Sequence, residues 1–409
     1  VKDSKIEWTD HTFNPWIGCT KVSPGCANCY AEARDQRFTG GAHWGKGAPR
    51  RRTSEANWKQ PLKWNREAPL FRQCDSCGHR GIVNEEESGV LSGMLACQKC
   101  NAHEAHLKPA RPRVFCASLA DWLDDEVPTE WLADLLALIR RTPNLDWLLL
   151  TKRPENWKPR MQAALESYSM RQPPTPKPRS ITDEESDAMN WVSAWMRNDG
   201  IDPIPQNVWI GTTVEDQTRA DQRIPQLLEI PATIRFLSCE PMLGPVDLHP
   251  RPNGGTGMCV ACGKVNEYPK VGWPECSCGM RGRGGHRGFS AIDAIDWIIC
   301  GGESGQHARP MWPAWARSLR DQCAAAGVPF LFKQWGEWGA RSGGVLIGND
   351  GKPCPTYGPV LCTIKDTNHL HTFMSKVGKN EAGRILDGVE HNGFPEVSNS
   401  AMSDGGQAL

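Results

Sequence analysis

Several features that would assign this chain to a common class are missing from it. No apolar run reaches the roughly 18 residues needed to span a bilayer, and no charged-then-apolar segment opens the sequence. No membrane partner is therefore expected, and the cytoplasm is the expected compartment. The 47 Lys and Arg residues balance 47 Asp and Glu, so no net charge draws the molecule as a whole to nucleic acid. Any such contact has to come from local basic patches. Neither a P-loop nor a dinucleotide fingerprint is present, and no internal repeat is visible. Tyrosine is scarce, four residues against eighteen tryptophans, so large apolar rings are left to fill a core or line a groove.

Cysteine, by contrast, is abundant. Cytosolic thiols stay reduced, and eleven of the seventeen cysteines fall in three closely spaced groups, which points to metal ligation. The first group is Cys19-x6-Cys26-x2-Cys29, with Pro24 and Gly25 supplying a turn. Three thiolates on one loop suit a [4Fe–4S] cluster with one open iron. Spacing alone also admits zinc completed by a remote ligand such as His11 or His43, or a set of unconnected thiols. The second group, Cys74-x2-Cys77-x19-Cys97-x2-Cys100, has the two knuckles of a four-thiolate zinc ribbon. The third, Cys259-x2-Cys262-x13-Cys276-x-Cys278, reads as a second structural Zn2+ site. Beyond it, Arg281, Arg283, His286 and Arg287 can touch phosphate or form a solvated loop.

Short apolar runs at 113–117, 146–151, 207–213, 233–239, 295–301 and 329–333 suit parallel strands buried on both faces. Amphipathic stretches at 131–141 and 312–326 fit helices between them, the second stopped by Gly327. Strand–helix alternation of this kind implies an α/β fold, a partial or complete parallel (β/α) barrel of six to seven units. The expected parts are a cluster-binding segment (1–71), a zinc-ribbon insertion (72–108), barrel (109–253), a second zinc insertion (254–288), the end of the barrel (289–337) and a C-terminal extension (338–409). Residues 171–180 are Pro-rich and basic, 46–52 form a shorter basic run, and 398–409 read as a polar, disordered tail.

Polar residues follow the expected strands: Ser118, Asp121, Lys152, Arg153, Glu215, Asp216, Glu240, and Glu303 with Ser304. In a parallel barrel such ends share one rim, where active sites form. Ser118, Asp121, Lys152, Glu215, Glu240, Gly301, Gly302 and Glu303 are the candidate cofactor-binding residues, while Cys116, Cys239, Cys300 and Cys323 read as buried core thiols.

The segments Ile6-Glu-Trp-Thr-Asp10, Gly18-Cys19, Gly25-Cys26 through Glu32, Ser118-Leu-Ala-Asp-Trp122, Leu150-Thr-Lys-Arg-Pro154, Ser238-Cys-Glu-Pro241, Gly301–Gly305 and Phe332-Lys-Gln-Trp-Gly336 carry a resemblance. With them the chain resembles a phage- and prophage-associated three-cysteine family of unknown function, regarded as related to radical S-adenosylmethionine (SAM) enzymes. The resemblance implies [4Fe–4S] on Cys19, Cys26 and Cys29, with SAM on the open iron. It also implies hydrogen abstraction from a nucleobase or nucleoside, within phage DNA on one reading, an electron donor such as flavodoxin or ferredoxin, and host cytoplasm for a phage-encoded chain. The spacing departs from the common C-x3-C-x2-C by a longer first gap. Gly301-Gly-Glu303 follows a late strand instead of the second, which leaves Ser118 or Asp121 to meet the SAM amino group. Two other functions fit the same residues: a zinc-ribbon nucleic-acid-binding protein without catalysis, and a SAM-independent iron–sulfur Lewis-acid enzyme.

Overall fold

The computed structural model describes residues 2–83, 96–170, 182–248, 255–258, 265–268, 291–346 and 373–396. Cys259, Cys262, Cys276 and Cys278, the arginines after them, the Pro-rich 171–180 and the tail 398–409 lie outside the described residues. The chain divides into two compact units. One comprises Val1–Val214, Asp221–Arg235 and Gly305–His307, and the other Glu215–Ala220, Phe236–Ser304 and Ala308–Leu409.

The first unit opens with β1 (His11–Thr12), β2 (Trp16–Ile17) and α1 (Tyr30–Thr39). It continues through β3 (Arg51–Arg52), α2 (Glu55–Trp58), α3 (Gln60–Glu67), β4 (Phe71–Cys74), β5 (Arg80–Ile82) and β6 (Leu107–Pro109). Then come β7 (Arg113–Cys116), α4 (Thr129–Arg140), β8 (Asp146–Thr151), α5 (Trp157–Met170), α6 (Asp183–Arg197), β9 (Val208–Thr213) and part of α7 (Gln217–Leu228). Strands β1, β7, β8 and β9 pair in that order, all parallel, with Val114 opposite Trp147 and Trp147 opposite Val208. Every residue of β9 and all but Leu150 of β8 are buried. That is why these strands read as unbroken apolar runs instead of alternating ones.

Helix α4 buries Leu132, Leu135, Leu136 and Ile139, near the 3.6-residue period of a core-facing helix. Helix α6 begins in a capping box, with Thr182 accepting from the Glu185 amide and Glu185 returning the contact. Tryptophan is mostly a core residue: Trp8, Trp16, Trp64, Trp122, Trp147 and Trp209 are at least 98% buried.

The second unit holds most of β10 (Ile234–Cys239), then β11 (Gly255–Met258), β12 (Val265–Tyr268) and β13 (Trp297–Gly301). It ends with α8 (Pro313–Ala326), β14 (Phe330–Gln334), β15 (Trp338–Leu346), β16 (Phe373–Lys376) and α9 (Lys379–Ala382). Strands β10, β13 and β14 are parallel, with Phe236 opposite Trp297 and Ile298 opposite Phe330. The fold is therefore mixed α/β with seven parallel strands, four in one unit and three in the other. Helix α8 starts on Pro313 and stops at Gly327, whose φ of 71° suits a residue without Cβ. Its Trp315, Leu319 and Cys323 are buried. Cys116, Cys239, Cys300 and Cys323 are all fully buried, as expected of core thiols. Among the described residues no helix is long and apolar enough to cross a membrane.

Candidate functional site

The two cysteine groups that the structure describes sit at opposite ends of the parallel strands of the first unit. At the N-terminal end is the Cys74 group. Its sheet, β5-β4-β6, is antiparallel. Arg80 on β5 reaches Asp10, the residue before β1, at 3.0 Å, and Asp10 Oδ2 accepts from the amide of Arg113, which opens β7. Each knuckle turns in the same way. The carbonyl of Cys74 accepts from Gly78 N–H and that of Cys97 from Asn101 N–H, both at 2.8 Å. Gly78 and Asn101 stand at φ 71° and 57°, a left-handed conformation that Gly and Asn tolerate best.

The turns bring Cys74 Sγ to 3.7 Å from Cys100 Sγ and Cys77 Sγ to 3.6 Å from Cys97 Sγ. All four sulfurs lie within 4.8 Å of one another. A tetrahedron of Zn–S bonds near 2.3 Å has edges of about 3.8 Å, so the four thiols can hold one metal ion. Burial opposes ionisation of Cys97, yet the amides of Cys100 and Lys99 and the neighbouring thiols bring it down to about 7, which favours a thiolate ligand.

At the C-terminal end lies the Cys19 loop, held from several directions. Gly18, at φ 116°, crosses so close to the chain that an added Cβ would stand 2.4 Å from the His43 carbonyl. Its amide donates to Leu119. Cys19 bridges to Trp44, and Gly45 N–H donates to the Cys19 carbonyl at 2.9 Å. Cys29 stands at the start of α1. The next residue, Tyr30, donates its hydroxyl to the Ser118 carbonyl. Asn28 Nδ2 donates to the His307 carbonyl at 2.8 Å, and the 305–307 segment belongs to this same unit.

The loop after β7 supplies Ser118, which meets Asn14 Nδ2 at 3.1 Å, and the buried Asp121 and Asp124. Asp121 accepts from Thr151 Oγ1, the Lys152 amide and the Leu123 amide at 2.7–3.0 Å. The end of β8 supplies Lys152, whose Nζ reaches Thr213 Oγ1 at 3.1 Å, and Arg153, whose Nη1 donates to Cys19 Sγ at 3.5 Å. Asp124 pairs with Arg50, which also reaches Thr20 Oγ1 and the carbonyls of Gly45 and Ala48.

Desolvation, with Asp121 behind it, pushes the Cys19 thiol up to about 12 against the pull of Arg153. Burial also raises Cys29, opposed by the amides of Glu32 and Ala31 and by Lys152. Metal binding here has to displace these protons. His11 stacks on Trp64 with ring centroids 4.5 Å apart, and His43 Nδ1 is engaged by Asp35 at 2.9 Å. Among the described residues, only the Cys74 group brings three or more ligand atoms close enough for a single ion.

Residues 3–395 match the family described as "Protein of unknown function (DUF5131)". The chain belongs to this family. No curated protein and no solved structure matches it.

The remaining candidates are in the second unit. Glu240, after β10, pairs with Lys333 Nζ at 2.9 Å and meets Ser238 Oγ at 3.2 Å. Gly301 packs against that carboxylate, and an added Cβ would lie 2.7 Å from its Oε1. Gly302 lies so close to the Trp335 carbonyl that a Cβ would come within 1.9 Å. Both oxygens of Glu303 are engaged by Arg309, which donates from its backbone amide, Nε and Nη2 at 2.6–2.8 Å. Glu215 is fully buried. Asp216 accepts from the Arg219 amide at the start of α7 and pairs with its guanidinium, so it serves as a cap. Ser118, Asp121 and Lys152 thus gather around the Cys19 loop, and in the second unit Glu240 packs against Gly301 while Glu303 is held by Arg309.

Two of the four basic residues of the run 46–52, Lys46 and Arg51, are exposed, and the other two are engaged. Arg50 is buried against Asp124, and Arg52 pairs with Asp134 and covers the Trp58 ring at 4.0 Å.

Proposed function

We propose that this chain is a radical SAM enzyme that carries [4Fe–4S] on Cys19, Cys26 and Cys29 and acts on a nucleobase or nucleoside. The observation that carries the reading is the Cys19 loop itself. It holds Cys19 at the C-terminal ends of parallel strands with an arginine N–H 3.5 Å from its sulfur, and carries Cys26 and Cys29 a few residues further along. Open α/β folds bind ligands at these ends, and thiolates are the natural ligands of iron–sulfur clusters. Bound there, such a cluster would supply an open iron to chelate SAM and the electron that cleaves its sulfonium.

The chain's own residues have separate tasks around that chemistry. Lys152 and Arg153 place positive charge beside the ligand sulfurs and offset the thiolates. Asp121 fixes Arg153, and Arg50 with Asp124 stiffens the loop that carries Cys19. Of Ser118 and Asp121, the two residues the resemblance leaves for the amino group of SAM, Ser118 is the one assigned it, because Asp121 is already engaged by Thr151, Leu123, Lys152 and Arg153. In the second unit, Glu303 fixes its own loop through Arg309. The substrate class rests on the resemblance alone. The same reading carries a partial parallel (β/α) barrel, structural zinc in the Cys74 group, and a flavodoxin- or ferredoxin-type electron donor.

Low-temperature EPR of anaerobically reconstituted, dithionite-reduced protein, with and without SAM, tests it. A cluster signal that changes with SAM, and disappears in Cys19→Ala, Cys26→Ala and Cys29→Ala, is the expected result. A signal indifferent to SAM would move the chain to the Lewis-acid reading. Zinc alone, with no cluster signal, would leave the nucleic-acid-binding protein.

A further inference from the structure

Arg153 touches the cysteine loop at two points and is itself held rigidly. Its Nη1 donates to Cys19 Sγ at 3.5 Å and its Nη2 to the Thr20 carbonyl at 2.8 Å. Behind it, Asp121 Oδ2 lies 3.2 Å from Nη1 and Asp124 Oδ1 4.0 Å from Nη2. The side chain is 4% exposed. Its backbone amide donates to Thr151 Oγ1, whose hydroxyl donates to Asp121. Two buried carboxylates keep the guanidinium charged and prevent it from swinging away. A planar fork fixed in this way presents one N–H to a sulfur in a low-dielectric setting, where the interaction is strong.

We propose that Arg153 raises the reduction potential of the cluster on Cys19, Cys26 and Cys29 by donating an N–H to the Cys19 sulfur. The proposal rests on the cluster reading. Reduction adds one electron, part of whose density falls on the ligand sulfurs. A donor already aimed at one sulfur stabilises the more negative, reduced state over the oxidised one. No bond to the protein breaks and no proton moves, because the guanidinium stays protonated throughout. Arg153 is on this account a positioning and tuning residue and touches no substrate.

The test is an EPR-monitored potentiometric titration of the reconstituted protein, wild type against Arg153→Lys. Lysine keeps the charge opposite Asp121, but its single ammonium cannot reproduce the fork that reaches both Cys19 and Thr20. The variant is expected to need at least a tenfold more reducing poise, 59 mV for a one-electron couple. A second measurement needs no variant. Pulsed EPR of wild-type protein grown on 15N-arginine should show hyperfine coupling from an arginine nitrogen to the reduced cluster. Absence of that coupling, or an unchanged midpoint in Arg153→Lys, would overturn the proposal while leaving the cluster in place. A wild-type protein that assembles no cluster would remove the proposal together with the reading beneath it.

Discussion

Arg50 and Asp124 form an ion pair of 2.8 Å in which neither side chain has any exposed surface. Seventy-four residues apart in sequence, they join the loop that flanks Cys19 to the loop that follows β7. Removing one partner of an isolated buried pair costs about 3–5 kcal/mol, and here Arg153 still lies 4.0 Å from Asp124 and Glu126 3.2 Å from Arg50. Arg50→Met should therefore lower stability in urea unfolding by less than that, and Asp124→Asn by less again. The double variant Arg50→Met/Asp124→Leu should recover part of the loss. Equal losses in the single and double variants would show that the pair does not act as a unit.

Gly18→Ala should be among the most damaging small substitutions in the molecule. The residue sits at φ 116°, and the new methyl would meet the His43 carbonyl, a backbone atom that cannot swing away. Strained backbone alone costs about 1–3 kcal/mol. A lower midpoint in thermal unfolding and reduced iron content after reconstitution are expected, whereas Gly45→Ala, with open space around it, should bear mainly the backbone cost.

For the Cys74 group, Cys77→Ser should remove one equivalent of metal per chain by elemental analysis. Proteolysis should then open within 71–109, a segment stapled by the four thiols. The ion pair of Arg80 with Asp10 ties this sheet to the strand ends opposite the Cys19 loop, so the EPR signal of the proposed cluster should survive. Loss of that signal would mean the metal does more than staple its own sheet.

Asp387 offers a pH signature. Arg317 and Arg320, both hydrogen-bonded to it, hold its carboxyl down to about 2 from an ordinary value of 3.8. A depressed folded-state pKa contributes stability that is fully present above 3.8 and is lost as pH falls through about 2. The group is about a third exposed, so the solvent-screened effect is at most about 1 kcal/mol. Asp387→Asn should be less stable than wild type at pH 6, and the gap should narrow as the pH falls from 4 to 2. A gap constant across that range would show that the arginines contribute nothing through the charge.

The six strands that are legible in the sequence lie within two residues of their observed limits because burial on both faces leaves an apolar run. Strand β1 left no such trace: it is two residues long, His11–Thr12, and neither is apolar. Helix α6 announces itself through Thr182-x-x-Glu185 at its start, a signal that can be read without a structure. At the site, the cysteine spacings marked both groups, and the rule that parallel strands end in functional loops marked Asp121 and Lys152. Arg50 was hidden inside a basic run that looks solvated. Its partner is set by the tertiary fold, and nothing local distinguishes a buried arginine from an exposed one. Glu303 was visible as an acid beside two glycines, but its saturation by Arg309 was not.

The contact between Asn28 and His307 has a consequence in time. A loop residue between two cysteines is held by a carbonyl that lies 279 residues further along the chain. At about 5–20 residues per second, a ribosome takes roughly 14–56 s to supply that carbonyl after Asn28 has been made. The Cys19 loop therefore waits, without this fastening, until late in synthesis.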